Sequence, residues 1–580
     1  MMPVLKNVKI KQEQKANHLI VNALAGCGKT FTEIVGTVAA FRPELMEFLS
    51  ERLGFEITPS EEQKIIFSKM GLTKDVKSVT YCAFNKSIVT AFAEEWGFLQ
   101  EELQLSDLNF RFATVNSLGN GVCSQAFGRV KPTNNRGKHI LEAITQKKWR
   151  ELIRKDEVLA NGILQLYNLC KLTLTGWTEE EGFDPNIPDK DFHKICTHYG
   201  IDLQPNWDRG FNLCREMLRR SLQVTTEIDF NDQNWLPVVK NLPVAKADFL
   251  MVDEGQDLPR CKQEFARMAG HNVMLVGDIN QAIYGFAGAD VDSIPRMTEL
   301  LGVDGALTLT ETRRCSVAVT KEANRALVEA CLMRGEEPIV LRAHKDNLQG
   351  KVLEDTLSRY GDKVKDGDMV LSRVTAPLVS QGMAFLKEGR KVVIRGREFG
   401  LELVNFIKKF KAKTVEELIE AVEGWYIAEV NKENAKRDPS DTRLQNLMDK
   451  RDCVLTFTEE ADSIDSIISH IHMLFSGKQC PSCKKQFLES QTYCPNKSCE
   501  TDEVDMSTGF PRGPKLVTPD GILLSTVHRA KGLEADNVFL LLKNAPIPHP
   551  MAKLHWEIVQ EWNCKYIAIT RAKDTFTYVL

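Results

Sequence analysis

One short stretch has the residue types and spacing for phosphate chemistry: Gly26-Cys27-Gly28-Lys29-Thr30, preceded by Asn22-Ala23-Leu24-Ala25. It follows an apolar run, Leu19-Ile20-Val21, that reads as a buried strand, and it leads into helix-compatible residues such as Thr32 and Glu33. A strand, a Gly-containing turn and a helix start, in that order, make a phosphate-binding loop. The glycines let backbone N–H groups converge on phosphate oxygens, and the helix N-terminus adds positive charge. In such a loop Lys29 reaches the β/γ-phosphates and Thr30 holds Mg²⁺. The strict pattern has Gly where this chain has Ala23, and the bland alternative is a chance Gly turn before a helix.

Hydrolysing a nucleoside triphosphate also needs a Mg²⁺ carboxylate, an orienter for water, a γ-phosphate sensor and cations for the charge that develops. The run Ala247–Val252 ends in Asp253-Glu254-Gly255-Gln256-Asp257, as when a strand delivers carboxylates to a metal at its C-terminal edge. Asp253 is the candidate for Mg²⁺ and Glu254 for the attacking water. Gln281, after Gly277-Asp278, is the γ-phosphate candidate, and Arg314 and Arg571 are candidate fingers because guanidinium forks match phosphate oxygens. Alone, an Asp-Glu pair is solvated charge and an Arg is a surface residue. Their pairing with the Gly-Lys-Thr loop raises them above that.

Two cysteine knuckles, Cys480-Pro-Ser-Cys483 and Cys494-Pro-Asn-Lys-Ser-Cys499, offer four thiolates. The spacing suits structural, tetrahedral Zn²⁺, and an iron–sulfur cluster draws on the same ligands. The remaining cysteines are scattered singly, as in a reducing compartment, where a disulfide framework is out of place. Lys484, Lys485 and Lys497 would let such a finger touch nucleic acid or a protein partner. A small insert that needs metal merely to fold explains the cysteines equally well.

Sheets must hold these groups. Strand-like runs are Leu19–Val21, Ser78–Phe84, Phe110–Val115, Ala247–Val252 and Asn272–Val276. After about residue 305 they are Ile339–Leu341, Met369–Leu371, Lys391–Ile394, Ile522–Leu524, Val538–Leu542 and Thr575–Val579. Residues 41–75 read as mostly helical, with Thr58–Gln63 a surface helix start capped by Ser60. Residues 120–235 are helical, with Trp149 among many basic residues: a nucleic-acid-facing insert or a solvated helix face. Residues 401–475 are also helical. The result is an α/β architecture of two similar units with parallel sheets, each interrupted by an insert.

The 580-residue length allows roughly three to five domains. A composition 43% hydrophobic and 27% charged is that of an ordinary globular protein. No apolar run approaches the roughly 20 residues that span a bilayer, and the N-terminus lacks a signal-peptide apolar region, so a cytoplasmic location is expected. The net charge of −4 leaves a nucleic-acid partner open, because binding depends on a local basic stripe.

Taken in order, the motifs resemble those of the UvrD/Rep-type superfamily 1 helicases. Ala23–Thr30 resembles motif I and Ala83-Phe84-Asn85-Lys86 motif Ia. Asp253–Asp257 resembles motif II, Val276–Ala289 motif III and Leu309–Arg314 motif IV. Thr526–Glu534 resembles motif V, and Tyr566–Ala572 motif VI. The match covers both α/β units but neither insert nor the cysteine region. Arg313 replaces the aromatic that often stacks on adenine, and Ala287 replaces an Arg after the motif III aromatic.

The resemblance implies two RecA-like P-loop domains with ATP in the cleft between them. By that reading domain 1A is 1–119 with 236–305, and its helical insert 1B is 120–235. Domain 2A is 306–400 with 521–580, its helical insert 2B is 401–475, and 476–520 is a small zinc-finger-like insert. ATP would meet Gln14 (or Gln12), Ala25, Gly26, Cys27, Gly28, Lys29, Thr30, Arg313 and Glu534, with Mg²⁺ on Thr30 and Asp253. Catalysis would fall to Lys29, Asp253, Glu254, Gln281, Arg314 and Arg571. Single-stranded DNA would run over Phe84, Asn85, Tyr284, Phe286, Thr375 and His528, with bases stacked on aromatic rings. The implied activity is an ATP-dependent, 3′-to-5′ DNA helicase or translocase in replication, repair or recombination, working at single-strand/duplex junctions. The short inserts suggest a compact, phage-type member, which would act in the host cytoplasm. Two rivals use the same loop: a remodeller that strips proteins from DNA with little strand separation, and a kinase-like phosphotransferase. Motifs III, V and VI speak against the last.

Overall fold

Leu19–Ala23 (β1) is buried along its whole length because it has a strand on each side. The computed structural model describes residues 16–53, 56–83, 86–102, 108–203, 205–223, 226–435, 441–459, 461–475, 521–550 and 552–580, with isolated positions at 439, 478–479, 482, 486–487 and 499. The first sheet adds β2 (Ser78–Ala83), β3 (Asn109–Thr114), β4 (Ala247–Asp253), β5 (Gly270–Gly277) and β6 (Leu307–Leu309). Their order is β6-β1-β5-β4-β2-β3, and every pairing is parallel. A parallel sheet is covered on both faces, so its strands read as unbroken apolar runs: Phe249, Leu250, Met251 and Val252 are all fully buried.

The second sheet contains β7 (Lys351–Asp355), β8 (Met369–Ser372), β9 (Val392–Ile394), β10 (Ile522–Thr526), β11 (Ala535–Leu541) and β12 (Ala572–Val579). It is again wholly parallel, in the order β7-β12-β11-β8-β10-β9.

Three local features depart from expectation. The first sheet draws a strand from beyond residue 305, since Leu307–Leu309 pairs with Val21–Ala23. Ile339–Leu341 forms no strand: the Leu341 N–H and C=O both pair with the Asn324 side-chain amide, at 2.8 Å each, in place of a neighbouring strand. Lys351–Asp355 is a strand that the sequence hides. It lies at an edge, mostly exposed, and a charged edge carries no apolar run to betray it.

Helix α1 (Lys29–Phe41) follows β1, and α2 (Glu61–Met70) packs against it. The approach is close: a Cβ on Gly36 would lie 2.8 Å from the Phe67 ring. Ser60 caps α2 in a reciprocal box with Gln63, with Gln63 N–H on Ser60 Oγ at 3.2 Å and Ser60 N–H on Gln63 Oε1 at 3.0 Å. In the second unit α3 (Val317–Arg334) lies against α4 (His555–Ile569).

Between β3 and β4 the chain is mainly helical, and Lys131–Pro132 pairs with Glu227–Ile228 across the insert's ends. Between β9 and β10 the helices are Arg397–Phe410, Val415–Asn434, Asp441–Thr458 and Ile464–Leu474. One apolar core runs from β1, α1 and α2 through to α3, α4 and β11, joining the two units. Among the described residues no helix is long and apolar enough to cross a membrane.

Candidate functional site

The loop between β1 and α1 turns through two left-handed glycines, Gly26 at φ 71° and Gly28 at φ 75°. Among the described residues no side chain caps α1, so its first-turn N–H groups are available to an anion. Gly26 is required for a second reason. A Cβ there would lie 2.5 Å from Thr312 Oγ1 and 2.6 Å from Arg314 Cβ, on the segment that follows β6. The same segment donates Arg313 N–H to the Gly26 carbonyl at 3.0 Å. The buried Ala25 N–H donates to the Tyr566 hydroxyl of α4 at 2.9 Å. The loop is therefore gripped from the far unit at several points.

Strand β4 delivers its carboxylates beside this loop. Lys29 Nζ sits 2.8 Å from Glu254 Oε1. Burial works against the Lys29 charge, but Glu254 and Asp253 outweigh it and raise its pKa. Glu254 is held well below the usual carboxylate range: burial opposes this, and Lys29 and Lys531 overcome it. Its backbone is left-handed at φ 53°, a conformation costing roughly 1 kcal/mol or more for a non-glycine residue. Lys29 and the Gln256 amide fix its side chain.

Asp253 accepts from the Tyr81 hydroxyl at 2.8 Å and from Glu254 N–H at 2.7 Å, and burial followed by the Glu254 charge pushes its pKa up. Gln281 donates to Asp278 at 2.7 Å, and burial raises the Asp278 pKa. Lys531, between β10 and β11, spans the two units. Its Nζ reaches Asp257 at 2.6 Å, the Gln281 carbonyl at 2.9 Å and Glu254 at 3.6 Å. Burial pushes Asp257 up to about 6 against the pull of Lys531.

The guanidinium groups lie on the far side. Arg571 is 1% exposed and donates to the carbonyls of Ile567 and Leu533, both at 3.0 Å, and to the Thr570 hydroxyl. Burial, then Arg314, lowers its pKa to about 10, so it stays charged at neutral pH. Arg314 pairs with Glu534 at 2.6 Å, and Lys573 shares that carboxylate at 3.1 Å.

A cavity of about 260 Å³ opens beside Cys27 and Gly28, lined by Phe31, Ser60, Gln63 and the exposed Arg313 among others. Gln63 is thus more than part of a surface helix start. It is 8% exposed, and its amide reaches Thr32 of α1 at 2.9 Å. The signal was present in Thr58-Pro-Ser-Glu-Glu-Gln63 but came after the loop in sequence, because α2 folds back over it.

Among the nucleic-acid candidates, Tyr284 and His528 come together: the Tyr284 hydroxyl donates to the His528 carbonyl at 3.3 Å. Burial, then Arg373, pushes the His528 imidazole down to about 3, so it is neutral at physiological pH. Thr375 stands apart at the start of the helix Ala376–Lys387, its N–H held by Asp449 at 2.9 and 3.0 Å. Phe84, Asn85, Gln12, Gln14 and the Phe286 side chain lie outside the described residues, as do Cys480, Cys483 and Cys494. Cys499 is buried. Among the described residues no group of three or more metal-ligating side chains is present.

Several residues at the site had been given no role from sequence: Tyr81, Phe31, Gln63, Gln256, Lys531 and Tyr566. Lys531 and Tyr566 lie inside the motif-like stretches Thr526–Glu534 and Tyr566–Ala572, which was the available signal.

Known proteins give a consistent comparison. Residues 114–301 match the UvrD/REP helicase N-terminal domain, and residues 512–579 match the UvrD-like helicase C-terminal domain. The F-box DNA helicase protein 1 of Schizosaccharomyces pombe is 23% identical over 346 residues, 57% of this chain and 33% of that protein. The ATP-dependent DNA helicase PcrA of Staphylococcus epidermidis is 21% identical over 439 residues, 61% of this chain and 59% of that protein. The chain thus spans between a third and three-fifths of the length of these relatives. It carries a match to a UvrD-type helicase domain on each side of its central segment, in family order, and its two parallel sheets meet at a Gly-Lys-Thr loop, so it is similar to the UvrD/Rep-type superfamily 1 helicases.

Proposed function

We propose that the chain is an ATP-dependent DNA helicase that moves 3′ to 5′ on single-stranded DNA. The observation that carries the reading is the loop Gly26–Thr30, held between the carboxylates of β4 and a segment bearing Arg313 and Arg314. The site fits a nucleotide with Mg²⁺. It has a helix N-terminus without a side-chain cap among the described residues, a lysine beside the loop, and the buried carboxylate of Asp253 at the end of β4. Thr30 and Asp253 would hold Mg²⁺, which would supply charge neutralisation to the phosphate oxygens.

The side chains imply a sequence of partner exchange. Lys29 spends its charge on Glu254 in the resting protein. Arriving phosphates give Lys29 a stronger anionic partner, which frees Glu254 to orient water and take its proton. Gln281, now on Asp278, is the residue proposed to sense the γ-phosphate. Arg571 and Arg314 must turn from the Leu533 carbonyl and from Glu534 toward the developing charge, so hydrolysis is tied to closure of one unit on the other. Lys531 and the Tyr284–His528 contact link that closure to the face where DNA is proposed to lie.

The test is the ATPase rate with and without single-stranded DNA, for wild type and Lys29→Ala, beside unwinding of tailed duplexes. DNA stimulation, loss in Lys29→Ala and opening of the 3′-tailed duplex support the reading. ATPase indifferent to any polynucleotide sinks it, and stimulation without opening favours remodelling.

A further inference from the structure

Helix α1 buries a carboxylate that nothing in the resting protein accounts for. Glu33 is 0% exposed, and neither of its oxygens has a hydrogen-bond partner among the described residues. Its neighbours on the helix, Ile34, Val35 and Val38, pack as apolar core. Leaving a buried acid unpartnered among them costs several kcal/mol, whether it stays ionised or takes a proton. The charges acting on it are Asp253, Lys29 and Glu254, and it acts in turn on Tyr81 and Cys82 of β2. One turn further on, the Thr37 hydroxyl meets Met251 Sδ of β4 at 3.7 Å, so the face of α1 that carries Glu33 lies against the strand that ends in the acid proposed to hold Mg²⁺. Glu33 stands three positions after Thr30, so the two side chains share one face of α1, with roughly 5–6 Å between Cβ atoms.

We propose that Glu33 is a positioning residue of the Mg²⁺ site, its carboxylate accepting hydrogen bonds from water carried by the ion that Thr30 and Asp253 hold. The proposal rests on the nucleotide-site reading above. Mg²⁺ dehydrates reluctantly and keeps several waters, and those waters need acceptors. Second-layer partners of this kind govern how tightly a metal is held. Asp253 has committed one oxygen to Tyr81 and the other to Glu254 N–H, so a further acceptor on the α1 side completes what the strand leaves open.

The experiment follows thermal melting of the full chain with ADP while Mg²⁺ is titrated, and in parallel the Mg²⁺ dependence of ATP hydrolysis, for wild type, Glu33→Gln and Glu33→Leu. Without Mg²⁺ both variants should melt at or above wild type, since each removes an unpartnered acid. The Mg²⁺ concentration for half-stabilisation and for half-maximal hydrolysis should rise on the order of tenfold, while the maximal rate changes far less. A residue that only filled space would lower the rate or the melting point and leave the Mg²⁺ half-points in place. Unchanged half-points in Glu33→Gln overturn the proposal, with the nucleotide site intact. A wild type whose melting ignores Mg²⁺ and ADP overturns both.

Discussion

Two clusters of buried charge, one in the helical insert and one at the loop, obey different rules. In the insert Lys171 and Arg136 face Asp229 and Asp232, two cations against two anions, all nearly inaccessible. Every carboxylate oxygen is used. Asp229 takes Lys171 and Tyr167 on one oxygen and the N–H groups of Asn231 and Asp232 on the other. Asp232 takes Lys171 on one oxygen, and Arg136 and Asp229 N–H on the other. Among the described residues at the loop, the carboxylates of Glu33, Asp253, Glu254, Asp257 and Asp278 outnumber the neighbouring cations Lys29 and Lys531, and both oxygens of Glu33 and one of Asp257 lack hydrogen-bond partners. A closed, balanced network pins the insert's entry to its exit. An open, anion-rich one is what the proposed nucleotide–Mg²⁺ site would use.

The sharpest break of this contrast is at the loop. Lys29→Ala and Arg571→Ala should each lower the ATPase rate on the order of 10³-fold, read as steady-state hydrolysis with DNA present. Melting of Lys29→Ala should fall less than that of the insert variant below, because Lys29 and Glu254 are partly exposed and Lys531 still faces Glu254. A comparable loss of structure in Lys29→Ala would place the two clusters in one class.

The insert should respond in the opposite way. Asp232→Ala leaves Arg136 and Lys171 buried with one acid between them, and should cost roughly 3–5 kcal/mol in denaturant unfolding. Hydrolysis per folded molecule should stay near wild type. An Asp232→Ala protein that unfolds normally but cannot hydrolyse ATP would show that the insert cluster belongs to the site.

A third comparison uses pH. Asp257 has a folded pKa of about 6, above the roughly 3.9 of an unfolded Asp. Between those values the folded state holds more protons than the unfolded state, so this residue's contribution to stability is full below about pH 4 and is lost as pH rises through 6. Asp257→Asn mimics the protonated acid and should lack that decline. Its advantage over wild type should grow from near zero at pH 4 to the order of 2–3 kcal/mol at pH 7, measured as unfolding midpoints across that range. Equal pH profiles would show that Lys531 offsets the burial of Asp257 fully.

Much of the fold was legible before the structure, for a physical reason. Strands such as Ala247–Asp253 are buried on both faces, so they announce themselves as apolar runs ending in polar residues. The edge strand Lys351–Asp355 gave no such signal, and Ile339–Leu341 gave a false one because Asn324 satisfies its backbone. The loop and its carboxylates were legible because their chemistry is local in sequence. The grips of Tyr566 on Ala25, Gln63 on Thr32 and Lys531 on Asp257 were not, since each joins residues far apart that only the meeting of two elements brings together. Glu33 left a faint mark: it is the one acid in the helix Lys29–Phe41.

The smallest expected effect tests how tightly the two units share the loop. Ala25 and Tyr566 are both buried, and the loop N–H donates to the phenol across the two units. Tyr566→Phe keeps the ring's packing and removes only the acceptor, stranding the Ala25 N–H, for a cost of about 1–2 kcal/mol. If the phenol serves only packing between the units, the loss appears as a lower melting point with nucleotide affinity unchanged. If it also sets the loop's resting conformation, ADP affinity shifts as well, and the shift couples to the close approach of the Thr312 hydroxyl to Gly26. The double variant Tyr566→Phe with Thr312→Ala separates these cases. Additive costs mean two independent grips, whereas a coupling of 0.5 kcal/mol or more means that both act through a single loop geometry, the one that must change when phosphate replaces Glu254 beside Lys29.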